Sequence, residues 1–254
     1  MPFAMEGFLM IVGRISGLFL SAPIFASKQL PRTIKILIIV LLSAMMANFV
    51  PIQYKVPLEN PALFLAAFIV EIFIGYCIGF VAYVVFAAIQ LAGQLMDMQM
   101  GFAMVNVVDP QSGMQIPLMG NLGYLLALLI YLSMNGHHYL LQAVVQSYQV
   151  IPVLGVNLGS NFIDLIIQVT VYMFVIAVKI SAPIVVSVMI TDIAMGFIGR
   201  TVPQLNVFIV GLPLKIMIGL FALILFIPMF IWFMGSLFAD FIVYLDALLF
   251  SMSL

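Results

Sequence analysis

The chain has 254 residues, of which 66% are hydrophobic and only 7% are charged, and its formal net charge is −1. Soluble domains have about 45–50% apolar and about 25% charged residues, so this chain has too little polar material to cover a water-facing surface. Its charges are spread singly, which argues against nucleic-acid partners, and the lone Cys77 excludes an internal disulfide or a cysteine metal cluster. Composition therefore predicts a protein inserted in a membrane or buried in a complex.

Continuous apolar runs make up most of the chain. A bilayer core about 30 Å thick needs about 20 helical residues, and most of the runs meet or approach that length. They do not alternate polar with apolar residues, which argues against strands and a transmembrane barrel. We expect an all-α membrane protein of six or seven long apolar helices, with one domain over residues 1–254. The runs are 8–25, 34–50, 62–96, 118–132, 162–190 and 207–234, with an apolar tail to 254; the expected loops are 27–32, 53–61, 97–117, 151–161 and 200–204.

Two pairs of glycines recur at a spacing of four residues, Gly13 with Gly17 and Gly75 with Gly79. This spacing places both glycines of a pair on one helix face, where another backbone can approach closely. The same spacing also arises by chance in a membrane sequence with 18 glycines. The motifs therefore predict tight helix packing at most, and both interpretations stay open.

Six ionisable residues lie inside or beside the apolar runs: Arg14, Glu71, Lys179, Asp192, Arg200 and Lys215. Each would cost about 2.5–3.5 kcal/mol at a bilayer centre, so each should face protein, water or the membrane interface. A proton relay is one hypothesis, but a relay needs neighbouring groups, whereas these are scattered and of mixed sign. We expect them to pair or to reach the interface within a complex.

His137 and His138 are the only histidines of the chain. Adjacent helical positions point about 100° apart, so the two cannot hold one metal ion from a regular helix, and a helix start or an interface is the favoured interpretation. The chain also has no GxSxG, HExxH, Walker A or GxGxxG motif. The sequence thus predicts a protein without catalytic residues, metal or cofactor.

The segment 97–117 is the most unusual connection, because it is mostly apolar and rich in methionine. Asp109 and Pro110 should start a turn, while Gly101 and Gly113 can flex on either side. Flexible methionine-rich surfaces suit contacts that repack around changing partners. A movable pore plug and a buried connector without a gating role both fit these residues.

Several spaced stretches together resemble the FliR family, the R-type subunits of the flagellar type III protein-export gate, which are similar to the T-type subunits of injectisomes. They run in order over nearly the whole chain. The stretch Asn135 to His138 favours the flagellar system over the injectisome. The stretches are Arg14-Ile15-Ser16-Gly17, Ala22-Pro23, Leu30-Pro31, Gly93-Gln94-Leu95-Met96-Asp97, Gly101-Phe102-Ala103, Asp109-Pro110, Asn135-Gly136-His137-His138, Ser147-Tyr148, Pro152, Ala182-Pro183-Ile184 and Gly199-Arg200-Thr201-Val202-Pro203-Gln204-Leu205-Asn206-Val207-Phe208.

The resemblance implies a channel-forming subunit that passes unfolded flagellar proteins across the bacterial inner membrane at the flagellar basal body. It implies helical hairpins that resemble a fusion of P-like and Q-like gate subunits. The expected partners are the P-type and Q-type gate subunits and the B-type and A-type membrane proteins of the export apparatus. No cofactor and no nucleic acid is expected.

The resemblance also assigns roles to particular residues. The loop that begins at the Gly-Phe-Ala stretch resembles a plug across the closed pore, and the buried charges become contacts between subunits. The alternative function is a secondary transporter of small solutes, which would need discontinuous helices and a polar site between internal repeats. The plug residues are Met100, Gly101, Phe102, Met104, Asp109 and Pro110; the assembly contacts are Arg14, Asp97, Asp192 and Arg200.

Overall fold

A computed structural model describes residues 5–27, 29–47, 60–102, 117–202, 204 and 206–253, without the side chains of residues 207 and 208. Within these residues the chain is helical and contains no strand, so the all-α prediction is confirmed. The seven helices are α1 (Met5–Ser21), α2 (Arg32–Met46), α3 (Pro61–Met100), α4 (Leu118–Ser133), α5 (Gly136–Val150), α6 (Ser160–Thr201) and α7 (Val207–Ser251).

Helix α3 ends later than the sequence indicated. The loop was expected to begin at Asp97, but the helix continues to Met100, because residues 97–100 contain neither glycine nor proline. Gly101 then takes a left-handed conformation with φ of 88°, which is the usual way in which glycine ends a helix. Asp97 is therefore a helical residue in the last turn of α3.

The break between α4 and α5 falls at the Asn-Gly pair. Asn135 has a left-handed φ of 57°, a conformation that asparagine tolerates better than most residues. A side chain at position 136 would overlap the ring of Tyr131, so glycine is required there. His137 and His138 then lie in the first turn of α5, which confirms their interpretation as a helix start.

Two compact units divide the chain. Unit 1 comprises Met1–Val85, Tyr131–Thr170 and Phe238–Leu254, and unit 2 comprises Phe86–Ile130 and Val171–Leu237. Each of the helices α3, α6 and α7 contributes residues to both units. The single export-gate domain over residues 1–254 stays a prediction.

The core of unit 1 is built around α1, ten of whose 17 residues are buried. Its glycine pair packs against the glycine pair of α3: a side chain added at Gly17 would overlap the backbone at Ile72, and one added at Gly75 would overlap the backbone at Arg14. The hydroxyl of Ser21 also donates to the carbonyl of Tyr76 at 2.9 Å. The close-packing interpretation of the two glycine motifs is confirmed.

In unit 2 a close contact between glycines also joins two helices, α3 and α4. A side chain at Gly93 would overlap the backbone of Gly120, so these two helices touch through glycine. Elsewhere in the unit Met100, which is fully buried, packs on Gly219 of α7. The end of α3 is therefore held from two sides.

Three helices, α3, α6 and α7, are long and apolar enough to cross a membrane, and α4 with α5 would add a fourth span if that bent pair is one span. Only 17% of the most apolar stretch of α7 is buried inside the chain. Because so large an apolar surface is unfavourable in water, it must meet lipid or other protein. The membrane class predicted from composition is confirmed.

We predict that Gly75→Ala lowers stability, whereas Gly196→Ala raises it. The added methyl at position 75 would overlap backbone, an overpacking that costs about 1–3 kcal/mol. Position 196 is also helical, but no atom lies within 4 Å of an added methyl, so alanine should gain about 0.5–1 kcal/mol there. Thermal unfolding of the detergent-solubilised protein measures both changes, and equal effects at the two positions would contradict the packing of α1 on α3.

Candidate functional site

The most polar buried site of unit 1 is an ion pair between Arg14 of α1 and Glu71 of α3. Both side chains have no exposed surface. Arg14 Nε donates to Glu71 Oε2 at 2.6 Å and Nη2 donates to Oε1 at 3.0 Å, so the guanidinium and the carboxylate face each other through two hydrogen bonds. Such bidentate pairs are among the strongest polar contacts in proteins.

Helix α5 and Ile151, the residue that follows it, supply further partners of this pair. Arg14 Nη1 donates to the hydroxyl of Ser147 at 2.7 Å, and Nη2 donates to the carbonyl of Ile151 at 3.2 Å. The Tyr148 ring lies under the guanidinium, with its centroid 3.7 Å from Cζ, and its hydroxyl lies 3.2 Å from Glu71 Oε2. We call these five residues the buried charge cluster. It joins three helices of unit 1.

The cluster follows from the local sequence. Glu71, Gly75 and Gly79 recur every four residues and so share one face of α3, while Arg14 lies one residue after Gly13 on α1. Because the glycines let the two backbones touch, the long side chains of Arg14 and Glu71 meet without leaving the helix interface. The arrangement neutralises two charges inside the unit. The guanidinium of Arg14 donates its hydrogen bonds to Glu71, Ser147 and Ile151.

Sequence reasoning singled out Arg14 and Glu71 separately but did not pair them, and it missed Ser147 and Tyr148 as their partners. A signal was available. Ser147 and Tyr148 belong to the stretches that carry the family resemblance, and the register of the glycine motifs places Arg14 and Glu71 at the same interface. The expectation that the buried charges pair is confirmed for these two residues.

A second ion pair lies in unit 2, between Asp192 of α6 and Lys215 of α7. It is far less buried than the first, since 40% of the Asp192 side chain and 28% of the Lys215 side chain are exposed. Lys179 and Arg200 are exposed on α6. Arg200 lies in the last turn of that helix, where a cation is favoured by the helix dipole.

Asp97 binds the start of α4. Its two carboxylate oxygens accept the backbone N–H of Met119 at 3.1 and 3.2 Å, and the residue is 6% exposed. The first amides of a helix have no partner within the helix, and the residue before α4 is Pro117, whose side chain cannot accept a hydrogen bond. Asp97 thus supplies from α3 the cap that α4 lacks locally, and its charge suits a helix N-terminus.

Of the predicted plug residues, Met100, Gly101 and Phe102 are described and Met104, Asp109 and Pro110 lie outside the described residues. Phe102 is half-buried, and a side chain at Gly101 would touch Leu212. We call residues 101–117 the clamped loop. Its two ends are held in unit 2 by the contact of Asp97 with Met119 and by the contact of Gly93 with Gly120.

Among the described residues, no three His, Cys, Asp or Glu side chains gather in a way that could hold a metal ion. His137 and His138 stack on each other with ring centroids 4.2 Å apart, but a metal would need a third protein ligand. The polar chemistry of the described part of the chain is therefore that of ion pairs and helix caps.

Comparison with known proteins assigns the chain to a family. The model of bacterial export proteins, family 1, matches residues 5–241, and the chain belongs to that family. It is 40% identical over 220 residues to the flagellar biosynthetic protein FliR of Bacillus subtilis strain 168, which covers 85% of this chain and 84% of that protein.

More distant relatives carry the same name. The chain is 28% identical over 227 residues to FliR of Escherichia coli K12, covering 89% of this chain and 86% of that protein. It is 28% identical over 229 residues to FliR of Aquifex aeolicus VF5, covering 90% and 88%. The resemblance to the FliR family is confirmed.

We predict that Arg14→Met destabilises the protein more than the double change Arg14→Met with Glu71→Leu. The single change leaves a buried carboxylate without its cation, which costs about 3–5 kcal/mol, whereas replacing both charges by apolar side chains is often neutral or stabilising. Thermal unfolding in detergent measures the two variants, with Lys179→Met as a control at an exposed cation. Equal losses for the single and the double variant would contradict direct pairing.

We predict that Asp97→Ala loosens the start of α4, while Asp97→Asn retains part of its stability. Alanine leaves the Met119 amide without an acceptor, at a cost of about 1–3 kcal/mol, whereas the asparagine carbonyl can still accept. Amide hydrogen exchange over residues 118–122 reports the change. If hydrogen exchange at residues 118–122 is unaltered in Asp97→Ala, Asp97 does not hold the start of α4.

Proposed function

We propose that the chain is the channel-forming R-type subunit of the flagellar type III export gate, and that it passes unfolded flagellar proteins across the inner membrane. The observation that carries this proposal is the pair of contacts that flanks the mostly apolar segment 101–117: the buried Asp97 carboxylate accepts the Met119 amide, and Gly93 touches Gly120. A connection whose flanking helices are held together suits a seal that opens and closes at one place.

Phe102 and Met104 supply the seal in this proposal. A pore wide enough for an unfolded chain must exclude water and ions when idle, and a hydrophobic constriction does so by dewetting. Met100, fully buried on Gly219, fixes the start of the loop rather than moving with it. The turn expected at Asp109 and Pro110 brings the chain back to α4.

Partner subunits cover the apolar exterior in this proposal. Apolar side chains such as Phe197 and Trp232, which are 69% and 73% exposed, lie on α6 and α7 and suit packing against the P-type and Q-type gate subunits. Arg200 is exposed on α6, where its charge can pair with those subunits, and Asp192, which stays 40% exposed beside Lys215, is the second contact expected on that helix. The B-type and A-type proteins of the export apparatus complete the assembly, which lies in the inner membrane at the flagellar basal body.

Arg14 and Asp97 take a different role from that of Arg200. Their side chains are buried and bound within the chain, so they position the helices that other subunits contact.

No catalytic step and no cofactor belongs to this function. The secondary transporter, its main rival, would bind a solute in a polar site, whereas the export gate functions only with its partners.

Native mass spectrometry of the chain expressed with its genomic neighbours separates the two functions. A mixed complex with several copies of other subunits is the expected result. A lone monomer or homodimer that stays monodisperse without partners would favour the transporter.

We predict that Phe102→Gly makes the idle gate leak ions without preventing its assembly, because it removes the bulk of the seal. Phe102→Leu should keep the gate closed, since leucine preserves an apolar plug. Leu154→Gly is the control, because it removes an exposed apolar side chain outside the helices at a residue whose φ of 64° suits glycine. Membrane conductance of cells that carry the complete gate measures the leak. An assembled gate that stays tight after Phe102→Gly combined with Met104→Gly would falsify the plug.

A further inference from the structure

A groove of about 420 Å³ lies between α1 and α2 in unit 1. Apolar side chains of both helices form its walls, namely Phe19 and Leu20 from α1 and Ile36 and Ile39 from α2. Its volume falls in the range of about 300–1,000 Å³ that is usual for sites of small molecules. The groove is therefore large enough for part of an amphiphile and not merely a packing defect.

Two cations line the same groove. Arg32 and Lys35 lie three residues apart and so share one face at the start of α2, with Arg32 exposed and Lys35 half-buried. The groove contains no carboxylate, and no ion pair joins either cation to an acidic residue of the described chain. Ser16 also lines the groove, but its hydroxyl already donates to the carbonyl of Gly13 at 2.7 Å. The groove is thus apolar along its walls and positive at one place.

Helix α2 is poorly covered by the rest of the chain. Only Ser43 and Met46 of its 15 residues are buried, and Ile36 and Leu37 beside the groove are 62% and 64% exposed. An apolar helix with this much exposed surface is unfavourable in water and must meet lipid or other protein. The groove accordingly opens into an apolar environment with its two cations near one helix end, where basic side chains reach the headgroup region.

We propose that this groove binds one anionic phospholipid, with an acyl chain between α1 and α2 and the phosphate at Arg32 and Lys35. Basic pockets between membrane helices are known to hold anionic headgroups. Inorganic phosphate would neutralise the cations but leave the apolar walls uncovered.

The test measures lipid retention by native mass spectrometry. The full chain, co-expressed with its genomic neighbours, is extracted and incubated with equal amounts of phosphatidylglycerol and phosphatidylcholine of identical acyl chains. Each basic residue near an anionic headgroup strengthens binding about fivefold, so the two cations predict a preference of about thirtyfold for phosphatidylglycerol. Added inorganic phosphate should not displace the lipid.

Three variants separate the groove from general surface charge. Arg32→Gln with Lys35→Gln should abolish the preference while phosphatidylcholine still binds. Ile36→Trp, which fills the groove and keeps both cations, should reduce retention of both lipids. Lys179→Gln removes an exposed cation from α6 and should behave as the natural chain does.

Three results would overturn the proposal. The first is equal retention of both lipids by the natural chain, and the second is an unchanged preference in the double glutamine variant. The third is the absence of phosphatidylglycerol from the co-expressed complex when the chain expressed alone retains it, which would mean that a protein segment fills the groove instead. Circular dichroism of each variant confirms that the helices are intact before retention is compared.

Discussion

Arg14 and Glu71 are both fully buried, so each charge must keep the other as its partner. Removing two charges from water costs several kcal/mol for each ion, so the pair persists only where geometry and further hydrogen bonds compensate that cost. Helix α1 must therefore approach α3 closely, which the glycines at positions 17 and 75 allow, and α5 must present Ser147 to the guanidinium. One ion pair thereby sets the positions of three helices.

Internal pairing explains how so apolar a chain can carry charges and still assemble with other subunits. Charges that bind one another inside the chain do not have to be matched by each partner, so most of the exterior can be apolar. Asp97 is likewise bound within the chain, at a helix end. Its carboxylate accepts the Met119 amide and so supplies the cap that the proline before α4 cannot provide. The polar groups within the helical framework thus hold helices in position, whereas the apolar faces of α6 and α7 remain exposed on the chain.

Much of this fold could be predicted from the sequence because its dominant signal, the length of the apolar runs, is local. The helix count and the helix start at His137 follow from short stretches. The glycine spacing left close packing and chance both open, because the spacing does not say which helix lies opposite. The partners of Arg14 could not be assigned in this way, because they lie 57 and 133 residues away and pairing depends on which helices touch. Similarly, Asp97 was expected in a loop because it ends an apolar run, whereas the absence of glycine and proline before Gly101 lets α3 continue to Met100. The roles of Phe102 and of the exposed charges depend on molecules outside the chain, so they stay proposals.

A structure of the assembled export gate by electron cryo-microscopy would show whether the Arg14–Glu71 pair persists in the complex, because it measures the distance from the Arg14 guanidinium to each carboxylate. We expect Glu71 of the same chain to remain within hydrogen-bond distance, with Ser147 and Tyr148 around it, and the partner subunits to meet the apolar faces instead. An Arg14 side chain bound to a carboxylate of another subunit, with Glu71 turned away, would contradict this expectation.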